Sequence, residues 1–305
     1  MGAPFEGLWG DTIPSSQSLL ERYHDYHGYP SGQYTDDTQL TAATLESIVE
    51  CEGVDLNDIA ARIAQLWKHH DVIGPGGACT HAAEHFLATG DWQTMGAPVG
   101  QAGNGTAMRT VVVGLMYVDR PAQLIEDVSS ISCLTHQDSR SIAGGIAVAE
   151  ASRLLAIDAD IRSDEFCESI VDAIDNVNSE LAQLIRQLPR RLQDDDVAQF
   201  IASAGQPNPE FDRPIITPFV IPTVLAALFC VMEYRESWSQ AVTSAIRLGG
   251  DVDTLGAIVG ALAGVRHGLD DIPAHLVEGV QDSEHLHSLA ARYGAYIKRG
   301  SAQGL

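Results

Sequence analysis

Basic residues are scarce in this chain, and it has no clustered cysteines, no long apolar run and no alternating strand pattern. Lys and Arg number 18 against 41 Asp and Glu in 305 residues, a formal net charge of −23. That balance excludes unassisted binding to a nucleic-acid backbone or to an anionic membrane. The surplus acid reads as a solvated surface. Cys51, Cys79, Cys133, Cys167 and Cys230 are scattered without a C-x-x-C pair. This is the pattern of reduced thiols, not of a disulfide framework. With no signal peptide at its start, the chain is expected to be cytoplasmic. The most apolar stretch, Phe219 to Met232, contains Pro222 and falls short of the roughly 20 residues a bilayer span needs. No membrane association is expected.

Strand signals are equally sparse. Val111-Val112-Val113 is β-branched but too brief to overrule its surroundings. Helical periodicity is plentiful instead. Ala42, Leu45, Ile48 and Val49 form one apolar stripe, Ile59, Ile63 and Leu66 a second, and Leu181, Leu184, Ile185 and Leu188 a third. Ile142 to Ile157 is Ala-rich and fits a buried helix. Two Gly/Pro-rich segments, Met95 to Gly105 and Ala204 to Pro214, read as loops. Apolar helices resume directly after each, so neither is a linker. The sequence predicts a single all-α domain over residues 1–305.

Two acidic clusters stand out: Thr35-Asp36-Asp37-Thr38 and Gly249-Gly250-Asp251-Val252-Asp253-Thr254. Each is placed where a loop runs into a helix. Neighbouring helical residues point about 100° apart, so Asp36 and Asp37 share a target only at a helix N-terminus. There the free N–H groups and the macrodipole favour their charge, with Thr35 as N-cap. The glycines before Asp251 let the backbone turn. Behind it runs a helix rich in small residues, Leu255 to Gly264. Four carboxylates and two hydroxyls make a hard oxygen ligand set suited to Mg²⁺ or Mn²⁺. Either cluster alone also reads as an ordinary acidic helix start.

Further motifs carry weaker chemistry. Gly103-Asn104-Gly105-Thr106-Ala107-Met108-Arg109 is a glycine loop whose backbone could approach a phosphate, with Arg109 adding charge. It fits neither the dinucleotide nor the P-loop spacing, and a plain turn explains it equally. His136, in Leu134-Thr135-His136-Gln137-Asp138, is placed to bond a sugar or phosphate, or simply to cap the next helix. His81-Ala82-Ala83-Glu84-His85 matches an inverted zinc-peptidase signature but lacks a third ligand in view. A calcium loop starting at Asp251 would need Glu at its twelfth position, where Leu262 stands.

In order along the chain, these motifs resemble the ADP-ribosylglycohydrolase family. Gly2-Ala3-Pro4-Phe5-Glu6 is similar to its G-A-P-x-E segment and Thr35-Asp36-Asp37-Thr38 to its T-D-D-T motif. Gly103 to Arg109 is similar to G-N-G-x-x-M-R, Thr135-His136 to the T-H segment, and Gly249 to Thr254 to G-G-D-x-D-T. The resemblance implies a compact helical fold with two divalent cations, Mg²⁺ or Mn²⁺. Their ligands would be Thr35, Asp36, Asp37, Asp251, Asp253 and Thr254. Gly103, Asn104, Gly105, Met108 and His136 would hold ADP-ribose, free or as part of an ADP-ribosylated protein or small molecule. Asp36 or Asp37 would orient the attacking water. Glu6 would act as a gate or secondary acid/base on a mobile segment.

Two departures from the family pattern are visible. Members carry a helix with a G-D-A-x-G segment ahead of G-A-P-x-E, whereas this chain begins at Met1-Gly2. The expectation is a domain without that first helix, or a start upstream. Asp71 lies out of register with the D-x-G segment of arginine-directed members, so arginine specificity is not implied. Two alternatives to the hydrolase are a non-catalytic ADP-ribose-binding or structural member of the same fold, and the zinc peptidase.

Overall fold

Residues 1–206 and 214–303 are described by a computed structural model. Among them helices dominate, and the only extended pairings are isolated bridges. The expected all-α class is therefore what the chain adopts. The Ala204–Pro214 loop lies largely outside the described residues.

The centre is built from helices that sequence alone marks as buried. Val220–Glu233 is buried at every position from Val220 to Met232. Pro222 is tolerated there because it sits in the first turn, where the N–H has no intrahelical partner. Ser139–Ile157 is almost equally buried. Ala107–Gly114 and Val220–Glu233 both pack on it. Close approach depends on missing side chains. A Cβ on Gly114 would stand 2.0 Å from the Ala149 carbonyl oxygen, and one on Gly144 would stand 2.3 Å from Val220 Cγ2. Val111 to Val113 lie inside the helix Ala107–Gly114, as their surroundings required.

Two readings of the periodicity need correction. The stripe Leu181, Leu184, Ile185 and Leu188 spans two helices, Ser179–Ile185 and Leu188–Arg191. Pro189 starts the second because its ring fits a first turn and breaks a continuous one. On the helix Asp36–Cys51, Leu40 and Ile48 form the fully buried ridge, whereas Ala42 and Val49 are only half-buried.

The N-terminal segment links the two ends of the chain. Trp9 bridges Gly249, Gly250 donates to the Leu8 carbonyl at 2.9 Å, and Gly7 donates to the Gly250 carbonyl at 2.8 Å. On its other side Asp251 N–H donates to the Ile216 carbonyl at 2.8 Å. Gly250 has φ 91°, and a Cβ there would meet the Ile216 oxygen at 1.9 Å. Gly250→Ala is thus expected to lower stability by at least about 2 kcal/mol, through the left-handed conformation and the clash. Chemical denaturation checks this.

Candidate functional site

Thr35 occupies the N-cap position of Asp36–Cys51, as expected, but its hydroxyl does not cap the helix. It donates to Asp37 Oδ2 at 2.7 Å instead. The turn is held from outside, by Asp36 N–H donating to the Ile73 carbonyl at 2.8 Å. The second cluster opens the helix Val252–His267, with Asp251 as its N-cap residue. Both acidic pairs therefore sit at helix N-termini, where the dipole partly offsets their charge.

The fold brings the two clusters together. Asp36, Asp37 and Asp251 are buried, and Asp253 is half-buried. Burial raises the pKa of Asp36, and the charges of Asp37, Asp253 and Asp251 raise it further; a Gly76 N–H opposes this. Asp37 is raised by burial and then by Asp253, against the hydroxyls of Thr35 and Thr254. Asp251 is raised by burial and by Asp253, while Asn104 Nδ2 donates to its Oδ2 at 2.7 Å and holds it in place. Glu6 follows a short 3-10 turn, Ala3–Phe5. Its carboxylate and those of Asp251 and Asp253 offer oxygens within 4.8 Å of one another. Burial, then Asp253, raises the Glu6 pKa.

Among the described residues, no Lys, Arg or His forms an ion pair with these carboxylates. The Met1 amino group feels Asp253 and Asp37, but burial lowers its own pKa first. Asp37 Oδ1 and Asp253 Oδ1 are buried without a hydrogen-bond partner. Oxygens left bare beside other carboxylates are costly unless a cation satisfies them. The donor set therefore fits a hard divalent ion.

Two cavities meet at this wall. A polar cavity of about 230 Å³ is lined by Glu6, Asp36, Gly103, Asn104, Gly105, Met108, His136, Asp251, Asp253 and Thr254. A larger, mainly apolar cavity of about 330 Å³ takes in Thr35, Asp37 and Asp253, with Trp238, Gly256 and Leu276. Asp253 borders both. The polar cavity is the candidate site because most of the sequence motifs open into it.

The glycine loop departs from a simple phosphate cradle. Asn104 N–H donates to the Pro218 carbonyl at 3.0 Å and is not free for a phosphate. A Cβ on Gly103 would stand 3.0 Å from His136 Nε2, and one on Gly105 would stand 2.9 Å from Cys79 Sγ. Close packing on His136 and Cys79 therefore also requires glycine. Arg109 is fully buried under the loop and adds no charge to the cavity surface. His136 is buried, and its backbone is tied to the loop by the bridge to Ala97.

Sequence reasoning missed the segment Gly74-Pro75-Gly76-Gly77, which lines the cavity ahead of the helix Gly77–Thr89. The available signal was a run of glycines before a helix start. Thr223 was also missed; its hydroxyl accepts from Asn104 Nδ2 at 3.1 Å. His81 and His85 stack on the helix Gly77–Thr89 with ring centroids 6.3 Å apart. Among the described residues they belong to no cluster of three metal-capable side chains.

Comparison with known proteins identifies the family. The family model described as ADP-ribosylglycohydrolase matches residues 1–303. An uncharacterized protein of Archaeoglobus fulgidus is 28% identical over 96% of this chain and 90% of its own length. ADP-ribosylhydrolase ARH3 of Xenopus tropicalis is 26% identical, covering 85% of this chain and 82% of its own. The ADP-ribosyl-[dinitrogen reductase] glycohydrolase of Rhodospirillum rubrum is 25% identical over 80% and 72%, respectively. A solved structure titled ADP-ribosylglycohydrolase-related protein complex superposes with a TM-score of 0.71 at 25% identity, covering 97% of this chain and 92% of that one. With the family pattern running nearly its full length, the chain belongs to the ADP-ribosylglycohydrolase family.

Proposed function

We propose that this protein is a metal-dependent hydrolase that cleaves the glycosidic bond between ADP-ribose and an acceptor. The acceptor is a protein side chain or a small molecule. One observation supports the reading: four carboxylates from two distant clusters share a largely buried site with two hydroxyls and, among the described residues, with no basic side chain paired to them. Thr35, Asp36, Asp37, Asp251, Asp253 and Thr254 would hold two divalent cations, Mg²⁺ or Mn²⁺, with the Glu6 carboxylate in reach of the same wall. Such ions, when bound, supply electrostatic stabilisation and orient ribose hydroxyls.

The chain's own residues supply the rest. Breaking the anomeric bond builds oxocarbenium-like charge on the distal ribose, which a carboxylate wall stabilises. Asp36 or Asp37 orients the attacking water and takes its proton. The water oxygen joins the anomeric carbon, and a proton goes to the departing acceptor. Glu6 lies at the more exposed edge with a raised pKa, suited to carrying that proton. The glycine loop and His136 border the space for the phosphates and the ribose.

A purely structural member of the fold has no need for four clustered carboxylates without counterions among the described residues, so the non-catalytic alternative is not favoured. The test is calorimetric titration of ADP-ribose into metal-free protein and into protein with Mg²⁺ or with Mn²⁺. Binding that needs metal and disappears in Asp251→Ala is expected. Equal binding with and without metal would refute the metal-dependent site.

A further inference from the structure

Beneath the glycine loop lies a fully buried arginine with, among the described residues, no carboxylate paired to it. Arg109 Nη1 donates to the Gly105 carbonyl, and Nη2 donates to the Ile131 carbonyl at 3.0 Å and to Thr135 Oγ1 at 2.7 Å. Thr135 Oγ1 in turn lies 2.9 Å from His136 Nδ1. Thr135 is itself fully buried. The direction of each hydrogen bond in this chain can be read from donor chemistry. A guanidinium has five N–H donors and no acceptor, so the Thr135 oxygen must accept from Arg109. That leaves the single hydroxyl proton to be placed.

Two acceptors stand near it. Cys79 is one, but burial pushes its thiol up to about 12, so it keeps its own proton and accepts weakly. His136 Nδ1 is the other, and it is the better acceptor when unprotonated. The opposite arrangement would have Nδ1–H donate to an oxygen that already accepts from a cation. The hydroxyl proton would then fall to sulfur. Protonating the whole ring is disfavoured as well: burial, then the Arg109 charge, holds His136 down to about 3. Among the described residues Asp138 pulls the other way, and its carboxylate is engaged by Arg140 at 2.8 Å and by the Gly100 N–H at 2.8 Å.

We propose that Arg109 and Thr135 form a positioning relay that locks His136 as the neutral Nε2–H tautomer, presenting one N–H donor to an oxygen of the bound ligand. Nε2 has no hydrogen-bond partner among the described residues, and His136 lines the polar cavity. The relay explains why a charged side chain lies under a loop whose surface it never reaches. It also assigns His136 a task that a titrating imidazole would do less well: a donor of constant charge across the neutral range. The ligand half of the inference rests on the ADP-ribose reading above; the tautomer half does not.

The test separates the two. Protein labelled with ¹⁵N and free of ligand is examined by two-bond ¹H–¹⁵N correlation, with the His136 ring identified by its loss in His136→Asn. Wild type is expected to show protonation at Nε2 only. Thr135→Val, which keeps the shape and removes the hydroxyl, is expected to lose that fixed pattern and to bind ADP-ribose roughly tenfold more weakly. Thr135→Ser is expected to restore both. A wild-type ring protonated at Nδ1 overturns the relay even if the valine variant does not fold. So does a Thr135→Val protein whose tautomer is unchanged. A locked Nε2–H tautomer in a protein that binds no ADP-ribose with any metal supports the relay and removes the ligand assignment.

Discussion

Asp36→Asn is expected to reduce turnover of an ADP-ribosylated substrate by about 10²–10⁴-fold, the usual scale for losing a positioned acid/base group. Asp36 is the first residue of its helix, is buried, and faces the charges of Asp37, Asp253 and Asp251. It lines the polar cavity, whereas Asp37 lies on the far side of the wall. Of the two candidates for orienting water, Asp36 is therefore the one in contact with ligand space. Amide replacement keeps the shape and the Gly76 N–H contact while removing the basic oxygen. Glu6→Gln separates two roles for the outer carboxylate. If Glu6 only carries a proton, kcat falls and the Kd of the divalent ion is unchanged. If it is a ligand beside Asp251 and Asp253, both change. Steady-state rates combined with metal titration read the difference. Near-normal turnover in Asp36→Asn would remove it from the chemistry.

Much of the site was visible before the fold because its chemistry is local. Paired carboxylates at a helix start, after glycines or a threonine, declare themselves by residue type alone. What the sequence hides is direction. The motif places Arg109 at the end of a glycine loop but does not say that its guanidinium turns inward to three oxygens under the loop. Residue type places Thr35 at a cap without showing that the hydroxyl donates to the Asp37 carboxylate, a charge-assisted bond, instead of accepting from a first-turn N–H. Partners contributed by distant backbone are hidden too. Nothing in Gly74-Pro75-Gly76-Gly77 announces that Asp36 will accept from Gly76. Nothing near Leu8 announces a pairing with Gly250. Those contacts depend on which helices pack together, a long-range outcome that local pattern does not encode.

The same crowding predicts how stability responds to pH and to metal. In metal-free protein Asp36 is raised to about 9 and Asp37 to about 7, chiefly by burial and then by neighbouring carboxylates. An acid whose folded pKa is raised binds more protons folded than unfolded between the two values. Stability then falls as pH rises through that window, from near 4, the unfolded range, up to the folded values. Below pH 4 the penalty is absent; above the folded values it is complete. Metal-free protein is therefore expected to be more stable at pH 6 than at pH 8. Asp37→Asn is expected to stabilise it at pH 8, since the amide removes a carboxyl that burial and Asp253 make costly to ionise. Divalent ion at a hundred times its Kd should add about 2.7 kcal/mol to the wild type at pH 8. If Asp37 is a ligand, the Asn variant should gain much less. Thermal denaturation at both pH values, with and without Mn²⁺, measures all four quantities. The opposite signs of the Asn effect, stabilising without metal and weakening the response to it, distinguish a metal cradle from an ordinary helix cap. A carboxylate that served only the helix dipole would lose stability on replacement under either condition.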